Sequence, residues 1–195
     1  EQTADLKGIE WRSVWHCLLV TTCGVVVYGI LQQTTGLRIQ DDFGKEPLAA
    51  ASRAGAIMTL MALSMVIAQG IVLRFLALRP NYTVCIGALV GAGALFLLVG
   101  DLTIIQFGIC MAGVGFAMGL MLPANLAEMS LRTGNDSQGR IAGINGIGQG
   151  LGMVLGPTVG AALYQVSNQA PYLLSSVLFI IVFGLYILRP RAVHK

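Results

Sequence analysis

Residues 139–160 read GRIAGINGIGQGLGMVLGPTVG, and no charged residue follows the second position of this stretch. Eight of its 22 residues are glycine, and Gly148, Gly152, Gly156 and Gly160 recur every four residues. Residues four apart lie on one face of an α-helix, so these four glycines line a single stripe. In an apolar helix such a stripe lets a second backbone approach closely. The segment therefore predicts a membrane helix that packs tightly against a neighbour.

The same segment carries a proline and two amides. Pro157 removes the hydrogen bond to the Met153 carbonyl, so we expect a kink there. Asn145 and Gln149 lie four residues apart, on roughly the same side as Gly152. The glycine face has two interpretations, a packing face beside a bend or a hinge and tight seal within a moving bundle.

The rest of the chain is similarly apolar. Of its 195 residues, 55% are hydrophobic and 11% are charged, whereas roughly 25% are charged in a typical soluble domain. Five runs carry no Asp, Glu, Lys or Arg: Ser13–Leu37, Ala54–Leu73, Pro80–Gly100, Leu102–Ala127 and Ile141–Leu188. A bilayer core about 30 Å thick takes about 20 apolar residues as a helix, and the last run is long enough for two. The composition excludes a soluble globule and predicts six transmembrane helices.

These runs predict an all-α membrane protein with a six-helix bundle at 13–189, the end of a linker at 1–12 and a tail at 190–195. The predicted spans are Val14–Leu37, Ala49–Leu73, Tyr82–Val99, Ile104–Met129, Ile141–Leu163 and Pro171–Leu188. Six spans leave both termini on one side of the membrane. If that side is cytoplasmic, nine of the 12 Lys and Arg residues lie inside. This bias follows the positive-inside rule, so we expect both termini in the cytoplasm.

Polar side chains form a stripe on the first span. Tyr28, Gln32 and Thr35 each fall within about 40° of Thr21 at about 100° per residue. Polar side chains inside a membrane either bond to neighbouring helices or mark a pathway. Both interpretations remain open for this stripe and for Asn145.

The fourth span contains a proline, an amide and a carboxylate near its inner end. Pro123 leaves the Gly119 carbonyl without its helical partner, which favours a bend. Asn125 follows, and Glu128 lies four residues before Arg132. Glu128 is either half of an i, i+4 ion pair or a carboxylate that couples transport to protons.

The sequence argues against an enzyme and against a metal site. Its two histidines, His16 and His194, are far apart, and it contains no H-E-x-x-H, G-x-S-x-G or P-loop motif. The four cysteines form no C-x-x-C pair, and they lie within predicted spans as packing residues. No run of like charges indicates nucleic-acid binding. We expect no enzymatic activity, no cofactor, no metal and no nucleic-acid partner.

Three motifs resemble those of the major facilitator superfamily. GPTVG at Gly156–Gly160, behind the glycine ladder in the fifth span, is similar to the G-x-x-x-G-P-x-x-G motif of proton-coupled drug antiporters. The loop GIVLRFLALR at Gly70–Arg79 resembles G-x-x-x-D-R-x-G-R-[RK] but lacks its acidic residue and inner glycine. GLMLPANLAEMS at Gly119–Ser130, followed by SQGRIAG at Ser137–Gly143, resembles the tenth and eleventh helices of that group.

The resemblance implies the C-terminal six-helix half of a secondary transporter that works by alternating access. It implies a cavity lined by the first, second, fourth and fifth spans. The candidate substrate contacts are Tyr28, Gln32, Asn125, Asn145 and Gln149. The candidate gating and structural residues are Gly148, Gly152, Gly156, Pro157, Gly160, Pro123, Glu128 and Arg132.

The expected function is proton-coupled export of small, partly apolar molecules from a bacterial inner membrane. The expected partners are the lipid bilayer, a small-molecule substrate and an N-terminal half of the same transporter or a second copy. Two alternatives remain: an uptake transporter for a nutrient or sugar, and a half-size membrane protein that serves as an assembly module without transport.

Overall fold

The computed structural model of the protein describes residues 11–44, 46–72, 79–133 and 138–188. The helices are α1 (Trp11–Phe43), α2 (Pro47–Ile67), α3 (Pro80–Leu97), α4 (Ile104–Thr133), α5 (Gln138–Val166) and α6 (Ala170–Ile187), and a π-helical segment, Ala68–Val72, continues α2. The described residues form no strand, and six helices are long and apolar enough to cross a membrane. The predicted all-α six-helix fold is confirmed. The predicted linker end 1–12 overlaps α1 at Trp11 and Arg12, while residues 1–10 and the tail 190–195 lie outside the described residues.

Helix ends follow local chemistry. Pro47, Pro80 and Pro171 lie in the first turns of α2, α3 and α6, where a missing N–H costs no helical hydrogen bond. The prediction that the first span ends at Leu37 is wrong, because α1 continues to Phe43. Arg38 and Asp42, whose charges suggested a loop, form an ion pair within the helix instead, as described below.

The six helices differ in how much of their surface the bundle buries. α1 and α4 are central, whereas α2 and α5 are mostly exposed. The main apolar core joins α1, α2, α3, α4 and α6 through side chains such as Val27, Val114 and Phe179. α5 contributes no side chain to that core and packs chiefly on α1. Near its start, Ile141 and Ile144 join a second, smaller apolar cluster with side chains of α1 and α4, and the rest of α5 is attached by another kind of contact.

The glycine ladder of α5 provides that contact, since all four of its glycines are buried against α1. A Cβ added at Gly152 would lie 2.6 Å from the Val25 Cβ, and one at Gly156 would lie 2.6 Å from the Val26 carbonyl oxygen. On the α1 side of the contact, a Cβ added at Gly29 would lie 2.8 Å from Cδ of Pro157. Only glycine allows the two backbones to come this close.

A second glycine pair, which the sequence analysis missed, attaches α2 to α4. Gly115 and Gly119 lie four residues apart on α4. A Cβ at Gly115 would collide with the Met61 carbonyl oxygen, and one at Gly119 would lie 2.5 Å from the Met65 carbonyl oxygen. We call Gly115 and Gly119 the α2 seat. Two small-xxx-small contacts thus attach the two least buried helices to the centre of the bundle.

We expect Gly152→Leu to lower the free energy of unfolding by about 3 kcal/mol or more, because the new side chain must push α5 away from α1. The measurement is thermal unfolding of the purified protein in detergent. Gly93→Leu, on an exposed face of α3, is the control, since no atom would lie within 4 Å of a Cβ there. Equal melting temperatures for the two variants would contradict the close-packing explanation.

Candidate functional site

A cavity of about 300 Å³ lies between α1, α2, α4 and α5. Five methionines line it: Met58, Met61 and Met65 from α2, Met118 from α4 and Met153 from α5. Its polar lining comes from Tyr28 on α1 and Gln149 on α5, and none of its lining residues is charged. The four helices are those that the resemblance implies.

The methionine wall on α2 follows from helical spacing. Met58, Met61 and Met65 are at i, i+3 and i+7, so they share one face of α2. Thioether side chains are unbranched, flexible and polarizable, and they adapt to ligands of different shape. The cavity is therefore suited to apolar or aromatic groups, with two polar groups available for orientation.

The structure brings only part of the predicted contact set to the cavity. Tyr28 and Gln149 both line it, from α1 and α5. Gln32 is exposed one turn further along α1 and is not among the lining residues. Asn145 is half-buried and Asn125 is completely buried, and both are engaged with other side chains.

Those two amides belong to a hydrogen-bonded chain across four helices. We call it the near-end chain, because it lies toward the end of the bundle at which α1 begins. The Tyr186 hydroxyl donates to Asn125 Oδ1 over 2.7 Å, and Asn125 Nδ2 donates to Thr21 Oγ1 over 3.0 Å. The Thr21 hydroxyl then donates to Asn145 Oδ1 over 2.8 Å. Asn125 Nδ2 also reaches the Cys17 carbonyl oxygen at 2.8 Å. The chain links α6, α4, α1 and α5 in turn.

Glu128 lies at the same end of the bundle and is only 7% exposed. With its amide oriented to donate, Asn81 Nδ2 lies 3.1 Å and 3.2 Å from the two carboxylate oxygens. The side chain of Arg132 lies outside the described residues, so the ion pair expected between it and Glu128 stays a prediction. Pro123 and Pro157 lie inside α4 and α5, and the helix continues past each of them.

The opposite end of the bundle holds a buried cation, Arg38, which lies just beyond the predicted end of the first span at Leu37. Arg38 is 2% exposed and forms an ion pair with Asp42 on the next turn of α1. Its guanidinium also donates to the carbonyl oxygens of Leu98, Gly100 and Asn168, each at 3.3 Å. The i, i+4 spacing of opposite charges was the signal that could have revealed it.

Neighbouring groups extend this arrangement. The Tyr164 hydroxyl donates to Asp41 over 2.7 Å, and the Asn168 amide donates to Asp42 over 2.8 Å. The Arg38 guanidinium carbon lies 5.2 Å from the centre of the Tyr172 ring, a cation–π geometry. We call this set the far-end clasp: Arg38, Asp41, Asp42, Tyr164, Asn168 and Tyr172, with the carbonyls of Leu98 and Gly100.

Among the described residues, no three His, Cys, Asp or Glu side chains lie close enough together to hold a metal ion. Six helices that are long and apolar enough to cross a membrane, four of which line a cavity, define a multi-pass membrane protein. Comparison with protein families identifies the family: the model of the Major Facilitator Superfamily matches residues 3–150 and 106–195. The chain belongs to this superfamily, which is a family of membrane transporters and not of enzymes. None of the curated proteins compared with the chain matches it.

We expect Asn125→Ala to lower the free energy of unfolding by about 1–3 kcal/mol, because it removes the centre of a buried hydrogen-bonded chain. Gln149→Ala should leave the melting temperature unchanged, because Gln149 is exposed to the cavity. Thermal unfolding of both variants checks the difference. If Asn125→Ala melted like the unmodified protein, the near-end chain would not be a structural element.

Proposed function

We propose that the chain is the C-terminal six-helix half of a secondary active transporter, and that it exports small, partly apolar molecules in exchange for protons by alternating access. The observation that carries the proposal is the methionine-lined cavity between α1, α2, α4 and α5. Membership of a transporter family supports the role. The export direction and the proton coupling rest on the resemblance of the Gly156–Gly160 motif to that of the drug antiporters.

The lining supports a particular substrate chemistry. A cavity without charged side chains offers no ion pair to balance a buried charge, and burying an unpaired charge is expensive. This half therefore contacts the neutral, apolar or aromatic part of the substrate. The hydroxyl of Tyr28 and the amide of Gln149 supply a donor and an acceptor that orient it.

The exposed faces of α2 and α5 support a second bundle as partner. Gly139, Gly143, Gly146 and Gly150 form a second glycine stripe on α5, and no atom lies within 4 Å of a Cβ built at any of them. Exposed Leu63, Val66 and other apolar side chains cover α2. The partner is the N-terminal half of the same transporter or a second copy of this chain, with lipid around both.

The proposed location is the bacterial inner membrane, with both termini in the cytoplasm. Nine of the 12 basic residues lie on the cytoplasmic side in this orientation, as the positive-inside rule favours. Glu128 is the candidate for the inner gate or for proton coupling, together with Arg132. Its burial and its contact with Asn81 support a gate near this end.

The test measures flux of N-phenyl-1-naphthylamine, a neutral aromatic dye, across vesicles that contain the natural gene product. An imposed pH gradient should drive the dye in the export direction. Gly156→Leu should abolish the flux by separating α5 from α1, while Cys85→Ala should retain it at equal expression. Normal flux through the Gly156→Leu variant would refute the packing argument.

Other outcomes separate the alternatives. Inward flux of a sugar or nutrient driven by the same gradient would replace export with uptake. A natural gene product of half size that carries no solute and co-purifies with another membrane protein would indicate an assembly module.

Substitutions in the cavity test its part in recognition. We expect Gln149→Ala and Tyr28→Phe each to raise the KM for the dye by about tenfold or less, since each removes one hydrogen bond worth about 0.5–1.5 kcal/mol. Gln33→Ala is the control, because Gln33 is exposed on α1 outside the cavity lining. Unchanged KM values in both cavity variants would place the substrate elsewhere.

A further inference from the structure

Two polar assemblies lie at opposite ends of the bundle, with the cavity between them. The near-end chain joins α1, α4, α5 and α6 through side-chain hydrogen bonds. The far-end clasp joins α1 to α5 and α6 and to the turn between α3 and α4. Between them they tie together five of the six helices.

α2 takes part in neither assembly. Its basic residue Arg53 is exposed and forms no ion pair within the described parts of the chain, although Asp41 and Asp42 lie at the same end of the bundle. The Thr59 hydroxyl bonds to the Gly55 carbonyl of its own helix. α2 is instead held by the α2 seat and by apolar side chains.

We propose that Arg38 is a positioning residue that locks the far ends of the other five helices into one block and leaves α2 as the moving wall of the cavity. The proposal rests on the proposed function only in taking that cavity as the substrate site. α2 supplies three of the five methionines, so a tilt of α2 on its seat changes the width of the cavity. The π-helical segment Ala68–Val72 follows directly, and such segments often occur at functional sites.

The chemistry of Arg38 explains why the block stays together. A guanidinium buried within membrane helices is stable only while its charge and its N–H groups are paired. Its partners come from α1, from the turn after α3 and from the turn before α6. Moving any of these elements alone would leave the buried Arg38 cation without one of its partners. Moving α2 breaks none of these bonds, because α2 supplies none of the partners.

The planar fork of arginine matters as well as its charge. Arg38 uses Nε for Asp42 and both Nη atoms for carbonyl oxygens. A lysine at this position could keep the ion pair but not all of the carbonyl bonds. Arg38→Lys should therefore rescue the clasp only in part.

Distances between spin labels test the proposal without any transport assay. Labels attached to encoded ketone side chains, which leave the native cysteines in place, go at the exposed positions Gln40, Ala51 and Ser167 of the natural gene product in lipid nanodiscs. The pair at Gln40 and Ser167 crosses the clasp, and the pair at Gln40 and Ala51 crosses from α1 to α2. We expect one narrow distance distribution for the first pair. The second should be broad or bimodal, and its populations should shift when N-phenyl-1-naphthylamine is added.

Variants then assign the effect to the clasp. Arg38→Met combined with Asp42→Asn removes both charges, so no uncompensated buried charge endangers folding. This double variant should broaden the distribution across the clasp into a second population, and Arg38→Lys should broaden it less. Arg53→Met, at the same end on α2, is the matched control and should change neither distribution.

Three results would overturn the proposal. One is a distribution between α1 and α2 as narrow as that across the clasp. Another is a narrow clasp distribution in the double variant, because a purely stabilising Arg38 would lower the melting temperature without adding a population. The third is equal broadening of both pairs in the double variant. None of these distance measurements requires flux, so a failed export assay would neither support nor contradict the inference about Arg38.

Discussion

The close approach of α1 and α5 is the contact on which the other features of this half depend. In lipid there is little hydrophobic gain from pairing two apolar helices, so their association relies on tight packing. The four ladder glycines and Gly29 bring the two backbones together. This approach also places the Thr21 hydroxyl within 2.8 Å of Asn145 Oδ1, and it brings Tyr28 and Gln149 into the lining of one cavity. Interhelical hydrogen bonds of about 0.6 kcal/mol each could not impose that geometry without the glycines.

Polar and apolar contacts hold different parts of the bundle. Hydrogen bonds and ion pairs concentrate in the near-end chain and the far-end clasp, and the methionine cavity lies between them. Polar contacts lose free energy steeply with distance and angle, whereas apolar side chains can slide and repack at lower cost. The helices that share polar contacts are therefore held by bonds in addition to packing, whereas a tilt of α2 on its seat would break no hydrogen bond of either polar assembly. The division follows from which helices carry bonding partners.

The sequence predicted the features that depend on spacing within one helix. Uncharged runs identified all six helices, and the four-residue repeat identified the glycine ladder. The sequence could not reveal which neighbouring helix a given face contacts. Asn125 was therefore predicted to line the cavity, although the structure buries it in the near-end chain. Arg38 was missed for a related reason. Its helical partner Asp42 was visible in sequence, but its carbonyl partners are 60 or more residues away. Gly115 and Gly119 have the same four-residue spacing as the ladder glycines, but two glycines make a weaker pattern in the sequence than four.

The absence of charge from the cavity lining has a consequence for the proposed pairing of this bundle with a second one. If this half binds the neutral part of a substrate, any charge compensation or proton exchange at the cavity must come from the facing bundle. Glu128 is not among the lining residues and contacts Asn81 at the near end, so proton coupling through Glu128 would take place outside the cavity. A half with a neutral, adaptable cavity and strong polar bonding at both ends would supply the shape of the site. In the proposed arrangement, the other half would supply any ionisable groups within the cavity itself.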